Sequence, residues 1–155
     1  MTKPNSFFDK PAPARRAFDI IANIDGGARG NPGPAAYAVV VRNARGEVVQ
    51  EWGEYLGIQT NNVAEYCGLV AALEYALRAN HGSLRVLSDS ELLVRQMLGA
   101  YKVKNPALKT LYDRARSLVR KLEQFSIEHV LRERNRDADR LVNQTLDTQE
   151  RERHR

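Results

Sequence analysis

A chain of 155 residues, of which 43% are hydrophobic and 28% charged, is long and apolar enough for one globular domain, and a second domain is not expected. Its formal charge of +5 suggests an anionic partner, although net charge alone is weak evidence for nucleic acid. The single cysteine, Cys67, excludes an intrachain disulfide, and the lack of an apolar run of about 20 residues predicts a soluble, cytoplasmic protein without a membrane span.

The two ends of the chain differ in composition from its middle. Residues 1–16 combine three prolines with polar and small residues, which predicts a flexible N-terminal tail. We expect the folded domain to occupy residues 17–148, and a frayed, charged tail to follow at 149–155.

The first half of the domain has the pattern of strands. The apolar run FDIIANID predicts a strand that ends at Asp25, before the turn-forming GGARGNPGP. The stretch YAVVVRNARGEVVQEWGEYLG predicts two further strands around a turn from Asn43 to Gly46. An antiparallel meander of three strands is therefore expected.

Helical spacing begins after Gly57 and predicts a helix that ends near Asn80. A buried strand, SLRVLSD, and a helix, SELLVRQML, which Gly99 terminates, come next. Pro106 suits the first turn of a helix through about Glu123, followed by a strand, FSIEHVLRE, and a last helix, DADRLVNQTLD. Right-handed crossovers make the two later strands parallel to the first. The sequence thus predicts an α/β fold with a mixed five-stranded sheet, three antiparallel strands then two parallel, and helices on both faces.

Four acidic residues lie where these predicted elements begin or end, and each has an ordinary explanation when taken alone. Asp25 suits a turn, and Glu65 has capping-box spacing from Asn62. Asp89 suits a helix N-cap, and Asp139 lies in a first helical turn, where the helix dipole favours negative charge.

Placed in one sheet, the same four residues suggest a different role. Asp25 and Asp89 end neighbouring parallel strands at the same edge, and helix starts bring the other two nearby. Clustered carboxylates repel one another by several kcal/mol at low effective dielectric, unless cations neutralise them. Oxygen ligands favour Mg²⁺ or Mn²⁺, and a pair of such ions suits phosphodiester hydrolysis by activated water. A metal-dependent enzyme is predicted.

Four segments, IDGGARGNPGPAAYAVV, TNNVAEYCGLVAAL, LSDSELLVRQM and NRDADRLVN, resemble in order and spacing those of type 1 ribonuclease H, which cuts the RNA strand of RNA–DNA hybrids. The resemblance extends from Phe18 to Leu146. It implies a ribonuclease H fold, two Mg²⁺ ions with Mn²⁺ as a substitute, and endonucleolytic products with 5′-phosphate and 3′-hydroxyl ends. It also implies that the catalytic, metal-binding set is Asp25, Glu65, Asp89 and Asp139.

The resemblance further implies substrate contacts. Asn31, Asn61 and Asn62 match positions that face the minor groove of the hybrid, where the ribose 2′-hydroxyl is displayed. Thr60 matches a hydroxyl that binds a DNA-strand phosphate, and Glu91 matches a contact to the RNA strand. For Asn61 and Asn62, helix capping is the structural alternative, and we expect one of them to cap as well.

Further contacts to the substrate are expected on either side of the carboxylates. The backbone amides of Gly26, Gly27 and Ala28 are positioned to meet the RNA. Some members of the family grip the DNA strand with a basic, tryptophan-containing protrusion, whereas the corresponding region here is only GAYKVKNPALK. Its Lys102 and Lys104 are candidate phosphate contacts, although such lysines more often form a solvated face. Weaker hybrid affinity is therefore expected.

Many relatives also carry a histidine on a loop before the last aspartate, and that loop is short here. His129 is predicted to lie within the fifth strand, where a histidine is more often structural. Glu133, Arg134 and Asn135 are the alternative residues that could occupy the place of this loop near the site, and the sequence does not choose among them.

Two rival functions follow from the same fold. One is a non-catalytic nucleic-acid-binding module, which has no need of four carboxylates that repel phosphate in the absence of metal. The other is a transposase- or integrase-like nuclease that acts on DNA, although TNNVAEY is closer to the hybrid-cutting family. The expected partner is an RNA–DNA hybrid, with no obligate protein partner and a monomeric state.

Overall fold

The protein is described by a computed structural model for residues 17–155, and the predicted flexible tail at 1–16 lies outside the described residues. The strands are β1 (Ile20–Ala28), β2 (Gly33–Asn43), β3 (Val48–Gln59), β4 (Ser83–Ser88) and β5 (Gln124–His129). The helices are α1 (Asn61–Arg78), α2 (Glu91–Met97), α3 (Pro106–Val119) and α4 (Arg136–Arg153), and a 3₁₀ turn lies at Arg132–Arg134. No helix among these is both long enough and apolar enough to cross a bilayer.

The strands form one mixed sheet in the order β3-β2-β1-β4-β5. The pairs β1–β2 and β2–β3 are antiparallel, whereas β1–β4 and β4–β5 are parallel. The predicted meander, the two crossovers and the mixed five-stranded sheet are confirmed. This order places β1 at the centre of the sheet, between β2 and β4.

Side chains of β2 alternate between two hydrophobic clusters on opposite faces of the sheet. Tyr37, Val39 and Val41 belong to the larger cluster, which also holds apolar residues of α1, α2 and α3. Ala36 and Ala38 point the other way and pack against α4. Helices therefore cover both faces, as predicted, and α4 alone among the described helices packs in the second cluster.

Helix α1 is capped by Thr60. Its hydroxyl oxygen accepts a hydrogen bond from the backbone N–H of Val63 at 3.2 Å, and its backbone is extended. The prediction that Asn62 and Glu65 form a capping box is wrong, as is the expectation that Asn61 or Asn62 caps the helix, because both asparagines lie inside the first turn. Glu65 therefore has no capping role in α1.

We expect Thr60→Ala to lower the free energy of unfolding by about 1 kcal/mol, because the N–H of Val63 loses its acceptor. Asn62→Ala is the matched control, since Asn62 is exposed and does not cap, and its effect should stay within about 0.5 kcal/mol. Urea denaturation of both variants measures the difference. Equal losses would contradict the assignment of the cap to Thr60.

Several element boundaries differ from the predicted ones. Strand β1 continues past Asp25 to Ala28, because residues 26–28 keep pairing with β2. Helix α4 continues through Arg153, where a frayed charged tail was expected, and its outer part is held by Arg29, which pairs with Asp147 at 2.8 Å and Glu150 at 3.3 Å.

Two other elements end earlier in the chain than the sequence predicts. Strand β5 stops at His129, which confirms that this histidine lies in the strand, but the predicted VLRE segment leaves the sheet. Helix α3 ends at Val119 rather than near Glu123.

Candidate active site

Asp25 and Asp89 meet at the edge of the sheet where β4 ends. The parallel register pairs Ile24 with Ser88, so the next residue of each strand is one of the two aspartates. Asp25 lies within β1 and is 7% exposed, and it is therefore not a turn residue. Asp89 does not cap α2, because Ser90 accepts the hydrogen bond from the N–H of Leu93. Neither ordinary explanation accounts for these two residues.

Glu65 reaches this edge because α1 crosses β1 in direct backbone contact at Gly26. A Cβ atom at Gly26 would lie 2.4 Å from the carbonyl carbon of Ala64 and 2.5 Å from the backbone nitrogen of Glu65. One turn further along the helix, a Cβ atom at Gly68 would lie 3.4 Å from the carbonyl oxygen of Asp25. Two glycines, one on the strand and one on the helix, thus allow the approach that brings Glu65 to Asp25.

Asp139 comes from the opposite face of the sheet, in the first turn of α4. Its carboxyl group lines the same cleft as that of Asp25, and its charge helps to raise the pKa of Asp25. The first helical turn is fixed by Asn135, whose carbonyl oxygen accepts from the N–H of Asp139 at 3.1 Å. All four predicted carboxylates therefore converge, from β1, α1, the end of β4 and α4.

Burial and mutual repulsion of the carboxylates dominate the electrostatics of this cluster. Carboxylate oxygens of Asp25, Glu65 and Asp89 lie within 4.8 Å of one another. Burial, and then the charges of Asp89 and Asp139, raise the pKa of Asp25 to about 8. Burial and the charges of Asp25 and Asp89 also raise the pKa of Glu65 well above its usual range.

The donor set fits a divalent cation. The Oε1 atom of Glu65 is buried and has no hydrogen-bond partner among residues 17–155, and no salt bridge there involves any of the four carboxylates. Closely spaced carboxylate oxygens with an unused lone pair are the ligands that Mg²⁺ and Mn²⁺ prefer. A cation removes both the repulsion and the unsatisfied acceptor.

The carboxylates line an open cleft of about 330 Å³. The remaining lining residues are drawn from β1, α1, the segment after β5, and α4: Gly26, Gly27, Ala28, Arg29, Asn61, Arg132, Val142, Asn143 and Leu146. Four of the predicted substrate-contact residues, Gly26, Gly27, Ala28 and Asn61, are thus brought to the site. The others, Asn31, Thr60, Asn62, Glu91, Lys102 and Lys104, lie outside the cleft lining.

A hydrogen-bond chain joins the β1–β2 turn to the start of α1. The Oδ1 atom of Asn61 accepts from the N–H of Ala28 at 2.8 Å, and the N–H of Asn61 donates to Oδ1 of Asn31 at 3.0 Å. The amide of Ala28, expected to face the RNA, is therefore already occupied. Asn31 and Asn61 have a structural role in holding the rim of the cleft.

The predicted contacts Glu91, Lys102 and Lys104 do not line the cleft that holds the carboxylates. Glu91 is exposed and pairs with Arg95 one helical turn away, at 2.9 Å. Lys102 and Lys104 are exposed on the segment between α2 and α3, which holds no regular helix or strand. Trp52 lies in β3, as predicted.

Arg132 is a cleft residue that the sequence did not indicate. It lines the cleft, and its positive charge acts to lower the pKa of Glu65. Glu133, Arg134 and Asn135, the residues considered for the short loop before Asp139, instead line a separate cavity of about 160 Å³. Arg132 follows Val130 and Leu131, the two apolar residues after β5, and the sequence gives no other indication of its place in the cleft.

Comparison with known proteins agrees with this geometry. The family described as "Reverse transcriptase-like" matches residues 23–145. The Ribonuclease HI of Halobacterium salinarum is 42% identical over 132 residues, which are 85% of this chain and 66% of that protein. A bifunctional protein of Mycobacterium tuberculosis is 45% identical over 129 residues, which are 83% of this chain but only 35% of that protein. The chain thus spans about a third of the length of this relative.

A solved structure extends the likeness to three dimensions. The LC11 ribonuclease H1, crystallised in complex with an RNA/DNA hybrid, has a TM-score of 0.78 and 42% identity, covering 83% of this chain and 97% of its own. The mixed five-stranded sheet places the chain in the ribonuclease H class of fold, with a TM-score of 0.81 and 41% identity to the solved RNase H1 of Halobacterium salinarum. Within that class, the chain belongs to the type 1 ribonuclease H family.

Proposed function

We propose that this protein is an endoribonuclease that hydrolyses the RNA strand of RNA–DNA hybrids by two-metal-ion catalysis. The observation that carries the proposal is the convergence of four unpaired carboxylates, with three oxygens within 4.8 Å, in an open cleft of a ribonuclease H chain. A non-catalytic module gains nothing from such repulsion. The identity with the LC11 enzyme, which binds a hybrid, supports the same substrate class.

The four carboxylates have distinct places in this proposal. Asp25, at the centre, would be shared between two cations, with Glu65 and Asp89 on one side and Asp139 on the other. Bound there, Mg²⁺ or Mn²⁺ supplies activation of the attacking water and neutralisation of the leaving 3′ oxygen, which leaves a 5′ phosphate on the RNA product. The N–H of Gly26 favours the ionised forms of Asp25 and Glu65, which are the forms that bind cations.

The rim of the cleft supplies the contacts that orient the hybrid. Gly26 and Gly27 expose backbone next to the carboxylates, and the side-chain amides of Asn31, Asn61 and Asn62 suit the 2′-hydroxyls and base edges of a minor groove. The hydroxyl of Thr60 keeps its proton free to donate to a DNA-strand phosphate, because it acts as an acceptor in the cap.

The contacts away from the cleft are expected to contribute less. Glu91 remains a candidate contact to the RNA strand, and its carboxylate would exchange Arg95 for a 2′-hydroxyl. Lys102 and Lys104 would add long-range attraction to phosphates, which is screened by salt. Two exposed lysines replace a basic protrusion, so the affinity for the hybrid should be modest.

Arg132 lines the cleft and its charge acts on Glu65, which supports a role as a cationic contact to the negatively charged substrate. We expect Arg132→Ala to lower kcat about tenfold or more, because a charge that acts on a phosphate in a cleft contributes at least about 1.4 kcal/mol. Steady-state kinetics on a labelled hybrid measure the loss. Arg134→Ala, in the neighbouring cavity, is the control, and equal losses would contradict the role of Arg132.

The function is tested by offering one sequence as an RNA–DNA hybrid, as duplex DNA and as duplex RNA, with Mg²⁺, with Mn²⁺ and with EDTA. We expect cleavage of the hybrid alone, only with a cation, and RNA products with 5′-phosphate ends. Cleavage of duplex DNA would support the integrase-like alternative. Salt-sensitive binding of the hybrid without cleavage in either cation would support the binding module and overturn the proposal.

A further inference from the structure

The side chain of Asn135 is almost completely buried, at 1% exposure, and both of its polar atoms are used. Its Nδ2 donates to the carbonyl oxygen of Ile24 at 2.8 Å, and its Oδ1 accepts from Nδ2 of Asn23 at 2.9 Å. Both partners lie on β1, in the two positions directly before Asp25. The start of α4 is thus tied to the central strand immediately next to the carboxylate cluster.

Asn135 also occupies the N-cap position of α4, yet its side chain does not cap the helix. Asparagine is among the best N-cap residues because its side-chain oxygen can accept from the N–H groups of the first turn. Here that oxygen is turned to β1 instead, and α4 begins without a side-chain cap. The clamp to the strand therefore replaces an interaction that would have stabilised the helix alone.

We propose that Asn135 is a positioning residue for Asp139, an inference that rests on the proposed function. Its carbonyl oxygen accepts from the N–H of Asp139, while its side chain holds the carbonyl of Ile24, the residue before Asp25. One residue therefore links the backbones of β1 and α4, which carry Asp25 and Asp139 into the same cleft. Residues that orient metal ligands in this way affect metal affinity as well as activity.

A second tie supports the same placement. Arg42 on β2 donates to Oδ1 of Asn23 at 3.2 Å and pairs with Asp137 of α4 at 2.6 Å. The chain of contacts from Asp137 through Arg42 and Asn23 to Asn135 surrounds the first turn of α4. Catalytic rates are sensitive to displacements of about 1 Å in the reacting groups. A less rigid first turn of α4 should therefore displace the carboxylate of Asp139 relative to that of Asp25.

The test compares Asn135→Ala with Leu118→Ala, a buried change on α3 that loosens the core far from α4. We expect Asn135→Ala to raise the dissociation constant for Mg²⁺, measured by calorimetry without substrate, about tenfold. The kcat on the hybrid should fall by a similar factor with KM within about twofold. Leu118→Ala, at equal or greater loss of melting temperature, should leave Mg²⁺ affinity and kcat within about twofold of the wild type.

Asn23→Ala serves as a second variant, because it removes the donor to Oδ1 of Asn135 while leaving Asn135 in place. It also removes the contacts of Asn23 with Arg42 and with the carbonyl oxygen of Arg134. If Asn135→Ala does not fold, a fall in both Mg²⁺ affinity and kcat for Asn23→Ala supports the proposal. Wild-type affinity and kcat in the folded variants, or losses no larger than those of Leu118→Ala, would overturn it. The Mg²⁺ titration without substrate tests the role of Asn135. Cleavage of the hybrid by the wild type tests the proposed function, so the two claims can fail independently.

Discussion

In EDTA, Asp25→Asn is expected to melt at a higher temperature than the wild type at pH 8, although it should lose Mg²⁺-dependent cleavage by about a thousand-fold or more. Burial beside Asp89 and Asp139 raises the pKa of Asp25 to about 8, whereas the unfolded chain has an ordinary aspartate. The folded state thus holds a proton that the unfolded state releases. The free energy of unfolding should therefore fall, by up to about 1.4 kcal/mol per pH unit from this group, as pH rises from about 4 to 8.

Mg²⁺ should reverse this loss in the wild type, because a cation that binds only the folded state stabilises it. Asp25→Asn should show a flatter pH dependence and little response to Mg²⁺. Asp113→Asn is the isosteric control, since Asp113 is exposed and forms a surface ion pair with Lys109, and it should behave as the wild type. Thermal melts at pH 5 to 8, with EDTA or Mg²⁺, measure all three. An equal Mg²⁺ response in Asp25→Asn would contradict the cation site.

Gly26→Ala is expected to destabilise the protein by about 3 kcal/mol or more, and to abolish cleavage in whatever folded protein remains. The new Cβ atom would lie 2.4 to 2.5 Å from backbone atoms of Ala64 and Glu65, and backbone of a buried helix cannot rotate away. Relief of this overlap requires α1 to move away from β1, which carries Glu65 away from Asp25. Urea denaturation gives the stability, and single-turnover cleavage gives the rate.

The neighbouring glycine is the matched control for stability. A Cβ atom at Gly27 would meet Oδ1 of Asn61 at 3.9 Å, an ordinary contact. Gly27→Ala should therefore change the free energy of unfolding by no more than about 1 kcal/mol, and the lower backbone entropy of alanine can make it stabilising. Similar losses of unfolding free energy for Gly26→Ala and Gly27→Ala would contradict the claim that close contact between α1 and β1 at Gly26 positions Glu65.

The fold was predictable wherever a buried face repeats with the period of its element. The apolar run of β2 and the helical spacing in α1 predicted both elements, and right-handed crossovers predicted that β4 and β5 run parallel to β1. Element ends were less predictable, because they depend on long-range partners. Strand β1 passes Asp25 because β2 pairs with it, and α4 outlasts its apolar stripe because Arg29 pairs with Asp147 and Glu150.

The four carboxylates were predictable because each lies near a predicted element boundary, and the sheet order brings these boundaries together. The cap of α1 was not, since Thr60 and the two following asparagines are all good N-cap residues and only backbone geometry selects one. Arg132 and Asn135 were not assigned because the segment between β5 and α4 has no periodicity. Whether its residues face the cleft or the strand depends on the side-chain hydrogen bonds of Asn135.

The central claim is that the converging carboxylates form the cation site that cuts the RNA strand of a hybrid. The most direct measurement is Mg²⁺-dependent cleavage of a hybrid labelled on its RNA strand, by the wild type and by Asp89→Asn at equal concentration. Asp89 is not a helix cap, so its replacement by asparagine should keep the fold while removing a cation ligand. We predict cleavage by the wild type and its loss in the variant, whereas undiminished cleavage by Asp89→Asn would contradict the account.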